Sequence, residues 1–418
     1  MKKQKTLTKK VHLIVLMMIL LSSFLTLLHS KVSKNSNENR ATYSDLVYAN
    51  LSNKQKLDLY IPTTGLDSYP LIIWIHGGAF LMGDKAAANE VNMINKLVTR
   101  GFAVASINYR FSSEAIYPAQ IKDCKAAVRF LRANAAQYHL NTNQFISWGG
   151  SAGGCLSSLL GTTGEVEELE GAELGNADYS SRVNVSIDWF GPIEFLTMDE
   201  QAAAQGFTIN TNAATSPESR LIGAPIQTVP VLTNKANAMQ YVTTDDAPMV
   251  CQHGTADTNI PILQSFNLYN TIAETLGQDN ALYTLIQGAG HGGSLFETDQ
   301  NIDLVVSFIN SHLTPLSADN SASSVIPDIR NISNYPNPFN PSTMIRFELN
   351  KKENVSVSIY NIKGKIVKQL VSDSLNAGQH QIEWNGTDNK EKKCPSGVYF
   401  YRIDIKNSSI MKKMMLVK

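Results

Sequence analysis

The chain has 418 residues, 43% of them apolar and 17% charged, enough apolar mass for packed cores and too much for a disordered chain. Thirty-six Lys and Arg balance 36 Asp and Glu, which excludes a globally basic nucleic-acid binder. The balance hides an asymmetry: residues 1–30 carry +5 and residues 328–418 carry +7, leaving −12 for 31–327 in a chain that sums to zero. An acidic body and a basic tail suggest two modules with independently selected surfaces.

Lys2, Lys3, Lys5, Lys9 and Lys10 precede an apolar stretch from 11 to 28, and polar residues follow from Ser30. That is the layout of an export signal over residues 1–30, although a stretch of eighteen residues would also serve as an uncleaved anchor. No Cys stands at its end, which argues against a lipid anchor.

Across 41–313 short apolar runs alternate with amphipathic stretches. Residues 57–61, 71–75, 102–107, 144–148, 183–189, 249–252 and 282–286 read as strands, and 90–99, 118–138 and 296–312 as helices. This rhythm predicts an α/β fold, a mostly parallel sheet with helices on both faces. Residues 191–245 break it: rich in Ala, Thr, Asn and Pro, the stretch is too long for an ordinary loop and is expected to be an insertion that roofs a pocket. Residues 314–327 turn to Ser, Ala, Asn, Asp and Pro, the composition of a linker. Beyond them the period changes to two, at 344–349, 355–360, 381–384 and 398–405, with turn signals between. A small all-β sandwich is expected over 328–418.

The cysteines, Cys124, Cys155, Cys251 and Cys394, have neither CxxC spacing nor paired histidines, which argues against zinc and against a disulfide scaffold. The first three lie in apolar patterns and are expected as buried small hydrophobes. No metal and no cofactor is implied.

Gly149-Gly150-Ser151-Ala152-Gly153 directly follows a predicted strand and precedes a helical run. A nucleophile on a sharp strand-to-helix turn needs small neighbours, and the helix N-terminus behind it favours developing negative charge. His76-Gly77-Gly78-Ala79-Phe80 follows another strand and can aim backbone N–H groups at one point, as an oxyanion hole requires. A Ser hydroxyl needs a base, and the base needs a carboxylate to hold its tautomer. Of eight histidines, His291 lies in the permissive loop 288–293 after a strand. His76 and His253 read as loop-shaping, and the others fall in the export segment, at helix ends or in the tail. Asp245 and Asp246 precede their strand, whereas Asp257 follows it, on the side where catalytic groups of open α/β sheets collect. A histidine base must be neutral to act, so activity is expected to rise with pH through roughly 6 to 7.5.

These motifs, in the order Ser151, Asp257, His291, resemble the α/β-hydrolase superfamily. The HGGAF and GGSAGG pair is similar to its carboxylesterase and hormone-sensitive-lipase-like group. Leu57-Asp58-Leu59-Tyr60, Asn108-Tyr109-Arg110, Pro118-Ala119-Gln120 and Ser216-Pro217 resemble secreted acetylxylan and feruloyl esterases. The resemblance implies a serine ester hydrolase with Ser151 as nucleophile, Asp257 and His291 completing the triad, and the N–H groups of Gly78, Ala79 and Ala152 as oxyanion hole. Its substrate would be an acylated polysaccharide or oligosaccharide. Ala79 stands where many relatives have a third Gly. A prolyl-peptidase-like hydrolase shares the fold but usually has Tyr after the nucleophile, where this chain has Ala152. A non-catalytic adhesin on the same scaffold is the other alternative. The run 334–343 (NYPNPFNPST), with Ile359-Tyr360-Asn361 and Ser396-Gly397-Val398-Tyr399, resembles the C-terminal sorting domain of type IX secretion. That resemblance implies the secretion machinery as partner and passage through the periplasm to the surface or outside.

Overall fold

The computed structural model describes residues 40–313, 329–361, 365–405 and 408–417. The expected export segment and the linker at 314–327 lie outside the described residues.

Strands β1 (Tyr43–Val47), β2 (Lys56–Tyr60), β3 (Tyr69–Ile75), β4 (Ala103–Ile107), β5 (Leu140–Gly150), β6 (Val185–Trp189), β7 (Met249–Gly254) and β8 (Ala281–Ile286) form one sheet in the order 1-2-4-3-5-6-7-8. The pairs β1–β2 and β2–β4 are antiparallel, and every pair from β4–β3 to β7–β8 is parallel. The continuous apolar runs of the central strands follow from burial on both faces. Leu71, Ile73 and Ile75 of β3 face one core with Ala103, Ala105, Ile107, Met249 and Cys251, under helices Ala119–Ala133, Ala152–Thr162 and Leu263–Leu276. Ile72 and Trp74 face the other with Val104, Trp148, Val250 and Phe296, under helices Ala88–Val98 and Asp299–His312. Period-two alternation thus divides one strand between two cores. Cys124, Cys155 and Cys251 are free, buried thiols within the first.

The expected helix over 118–138 ends at Ala133, because Asn134 leaves helical geometry (φ −104°, ψ 16°), and one further turn, Ala135–Tyr138, follows. The edge strand β1 has no period-two apolar face and escaped the pattern; four of its five residues are exposed. Residues 191–245 fold as short pieces, chiefly helices Met198–Gln205, Pro217–Ile222 and Pro230–Asn234, lying between β6 and β7.

The tail is a sandwich. Strands β9 (Ile329–Tyr335), β10 (Thr343–Leu349) and β13 (Gly378–Trp384) make one antiparallel sheet. Strands β11 (Glu353–Asn361), β12 (Ile366–Leu375), β14 (Gly397–Ile405) and β15 (Ser408–Leu416) make the other. Between them lie Ile345, Phe347, Val357, Ile359, Trp384, Tyr401, Ile403 and Met414. Trp384 is fully buried beside Phe339 and Tyr399 and offers no stacking platform for a sugar.

The charge asymmetry suggested two modules with independently selected surfaces; the described residues from Ala41 onward cluster as one compact unit. Phe400 of β14 meets Phe266 edge-on, ring centroids 4.9 Å apart, and Phe400 and Met411 join the same buried cluster as Tyr269 and Tyr283. Net charge describes the solvent faces; this apolar seam has no signature in it.

Candidate active site

A parallel sheet brings the carboxyl ends of its strands to one edge, and four segments meet there: 76–80 after β3, 151–153 after β5, 257–260 after β7 and 288–293 after β8. Ser151 sits between β5 and helix Ala152–Thr162 at φ 57°, ψ −124°, a conformation that side chains rarely adopt. Its N–H donates to Trp189 O and its C=O accepts from Cys155, so both sides of the turn are anchored. The turn is possible because Gly153 packs against β3: a Cβ there would stand 2.0 Å from Ile75 O.

Three side chains converge. His291 Nε2 lies 2.8 Å from Ser151 Oγ, and His291 Nδ1 lies 2.8 Å from Asp257 Oδ2. Asp257 Oδ1 accepts from the N–H groups of Asn259 and Ile260, at 2.8 and 3.0 Å, which fixes the carboxylate plane. Burial alone would raise this carboxyl, but hydrogen bonds and charge from His253 and His291 outweigh it and hold it well below the usual carboxylate range. An ionised Asp257 can only accept, so His291 carries its proton on Nδ1 and leaves Nε2 to accept from Ser151. Asp245 and Asp246 lie at the other end of β7: Asp245 pairs with Arg182 at 2.7 Å, and Asp246 accepts from Thr243 N at 2.6 Å.

Gly78, Ala79 and Phe80 all have positive φ, at 110°, 57° and 60°. This run turns the chain sharply beside Ser151, and a Cβ on Gly78 would stand 2.1 Å from Met82 O. His76 stays behind the loop: buried, stacked on Tyr109 and donating from Nδ1 to Gly77 O. It fixes the loop instead of reaching Ser151.

Two cavities open from Ser151, and Ala79, Asn259 and His291 line both. The first, of about 620 Å³, is walled by Met82, Met93, Trp189, Phe190 and Phe296, with Asp84, Glu90 and Glu297 also lining it. The second, of about 520 Å³, takes Thr208, Asn210, Thr211, Thr215, Ser216 and Glu218 from the 191–245 segment. Asn259 and Glu218 escaped the sequence reading. Glu218 follows Ser216, whose hydroxyl caps helix Pro217–Ile222, and there an acidic residue reads as ordinary helix-end chemistry. Among the described residues no group of three or more His, Cys, Asp and Glu is placed to hold a metal ion.

The profile of the BD-FAE family matches residues 57–272, and that of the secretion system C-terminal sorting domain matches 333–418. Esterase LipC of Mycobacterium tuberculosis is 27% identical over 232 residues, covering 54% of each chain. The chain spans about half the length of the curated relatives it matches. Among solved structures, a truncated carbohydrate esterase from gut microbiota is 30% identical with a TM-score of 0.61, covering 66% of this chain and 98% of its own. A bifunctional GH43-CE protein of Bacteroides eggerthii is 33% identical with a TM-score of 0.60, covering 67% of this chain and 36% of its own. On its sheet order, its Gly-rich turn and these matches, the chain belongs to the BD-FAE family of α/β-hydrolases and carries a secretion system C-terminal sorting domain.

Proposed function

We propose that the protein is an exported serine ester hydrolase that deacylates plant polysaccharide or its oligosaccharides. The observation that carries this reading is the unbroken chain of 2.8 Å contacts from Ser151 through His291 to Asp257. Ser151 Oγ attacks the ester carbonyl as its proton passes to His291 Nε2, and Asp257 steadies the imidazolium. The N–H groups of Gly78, Ala79 and Ala152 receive the oxyanion. His291 then protonates the leaving alcohol, and a water activated the same way releases the acid.

The two cavities support an acylated sugar as substrate. The aromatic wall of Trp189, Phe190 and Phe296 suits a planar or short acyl group, and the hydroxyls and Glu218 of the second cavity suit a polyol. A neighbour described as a carbohydrate esterase and another joined to a GH43 module favour the same substrate class. The sorting domain supports type IX export through the periplasm to the surface or outside. Release of acetate and of ferulate from acetylated and feruloylated xylan oligomers tests the reading. Turnover of a chromogenic acetyl ester with neither oligomer touched would overturn the polysaccharide assignment.

A further inference from the structure

A second imidazole reaches the same oxygen of Asp257. His253, at the end of β7, is wholly buried, and its Nε2 lies 3.0 Å from Ile260 O and 3.3 Å from Asp257 Oδ2, the oxygen that also faces His291. Both neighbours of Nε2 are acceptors, so that nitrogen carries a proton. On the other side of the ring, Nδ1 lies 2.8 Å from Ser265 Oγ, and Ser265 Oγ lies 3.0 Å from Asp188 Oδ2. Asp188 Oδ1 accepts from Gly191 N at 2.9 Å.

Donor counting leaves one proton to be placed. Ser265 has a single hydroxyl hydrogen and two neighbours that can take it. If Asp188 is ionised and accepts it, the remaining contact is made only when His253 Nδ1 bears a proton. If Asp188 is protonated it donates to Ser265, which donates to a bare Nδ1. The two arrangements interconvert as the Asp188 O–H proton moves to Ser265 Oγ while the hydroxyl proton moves to His253 Nδ1. Both sum to zero charge, but only one sets a cation 3.3 Å from Asp257. Burial, opposed by the charge of His253 and the hydrogen bonds from Ser265 and Gly191, raises the Asp188 carboxyl to about 6. The other titratable groups that sense its charge are Cys155, Cys251 and Tyr283, and burial raises all three, so they keep their own protons.

We infer that His253 is a positioning residue for Asp257 and that, through Ser265, it shares one proton with Asp188, so that the charge Asp257 presents to His291 is set from behind the site. This rests on the proposed triad. A shared proton that retreats to Asp188 leaves Asp257 its full charge when His291 becomes cationic, which favours the acyl-transfer step.

The test is an NMR titration of imidazole nitrogens in the full chain labelled on histidine, read beside ester hydrolysis. In the wild type, His253 Nδ1 should resonate between the protonated and bare positions. A bare-nitrogen signal unchanged from about pH 5 to about pH 9 would overturn the inference without any variant. Ser265→Ala and H253Q should each raise the titration midpoint of His291 by about half a pH unit or more, with KM little changed. Ser265→Thr, which restores the hydroxyl, should return it. Midpoints that coincide in all folded variants would assign His253 a purely structural role. The two readings fail separately: a shifted midpoint in a protein that hydrolyses no ester sinks the esterase and keeps the coupling.

Discussion

In the proposed mechanism Ser151 owes its reactivity to its neighbours, since an isolated hydroxyl is a poor nucleophile. Ser151→Ala should therefore lower ester hydrolysis by about three orders of magnitude or more while the fold persists. Asp257→Asn should cost no more than His291→Ala, because in the proposed mechanism Asp257 orients the base and does not itself react. Steady-state kinetics on a chromogenic acetyl ester compares all three. Asp246 is the control carboxylate. Burial, opposed by hydrogen bonds from Thr243, raises it to about 6. A folded-state value above the unfolded one contributes stability below about pH 4 that is lost as pH rises through about 6. Asp246→Asn should thus keep activity within about two-fold and gain about 1 kcal/mol of relative stability between pH 5 and pH 8, read from urea melts at both. An Asp246→Asn variant more crippled than Asp257→Asn would put the triad carboxylate at the wrong end of β7.

At the scale of elements, the site depends on two turns whose shapes are fixed by close approach. In the loop after β3, Gly78→Ala would force a Cβ to within 2.1 Å of a backbone oxygen at a positive φ, so the turn must move. The expected loss is about 10²-fold in kcat with KM little changed, since oxyanion contacts act mainly in the transition state. A KM effect alone would remove this loop from the oxyanion hole. The central strands and both turns were legible in the sequence because their signals are local: apolar runs, and glycines next to a Ser or after a His. The partners that the structure brings to Ser151 were legible because strand ends sort them, with Asp257 after β7 and Asp246 before it. What escaped is non-local. The break at Asn134 is a change of φ and ψ at one residue, which the apolar spacing over 118–138 does not register. Glu218 reaches the cavity through a segment with no periodicity, and His253 looks like any strand-end histidine until Ser265 and Asp188 arrive from other elements.

Across the whole molecule, no described residue of the sandwich lines either cavity at Ser151, but Phe400 lies against Phe266 and Tyr283 and shares their buried cluster with Met411. Truncation near Ala322 should leave kcat/KM on a small ester within about three-fold. Uncovering that seam should cost about 2 kcal/mol and lower the melting temperature by several degrees. F400S in the full chain should reproduce the lower melting temperature. In the native host the truncated enzyme should stay in the periplasm, as fractionation with an activity assay would show. Unchanged export would make the tail a binding module.

In the proposed mechanism one serine, activated by His291 and Asp257, carries the chemistry. A fluorophosphonate probe tests it most directly, by intact mass and peptide mapping of the full chain. One adduct per molecule is expected, on Ser151, with ester hydrolysis lost in step and no labelling in Ser151→Ala or His291→Ala. An adduct on another residue, or hydrolysis that survives complete labelling of Ser151, would contradict it.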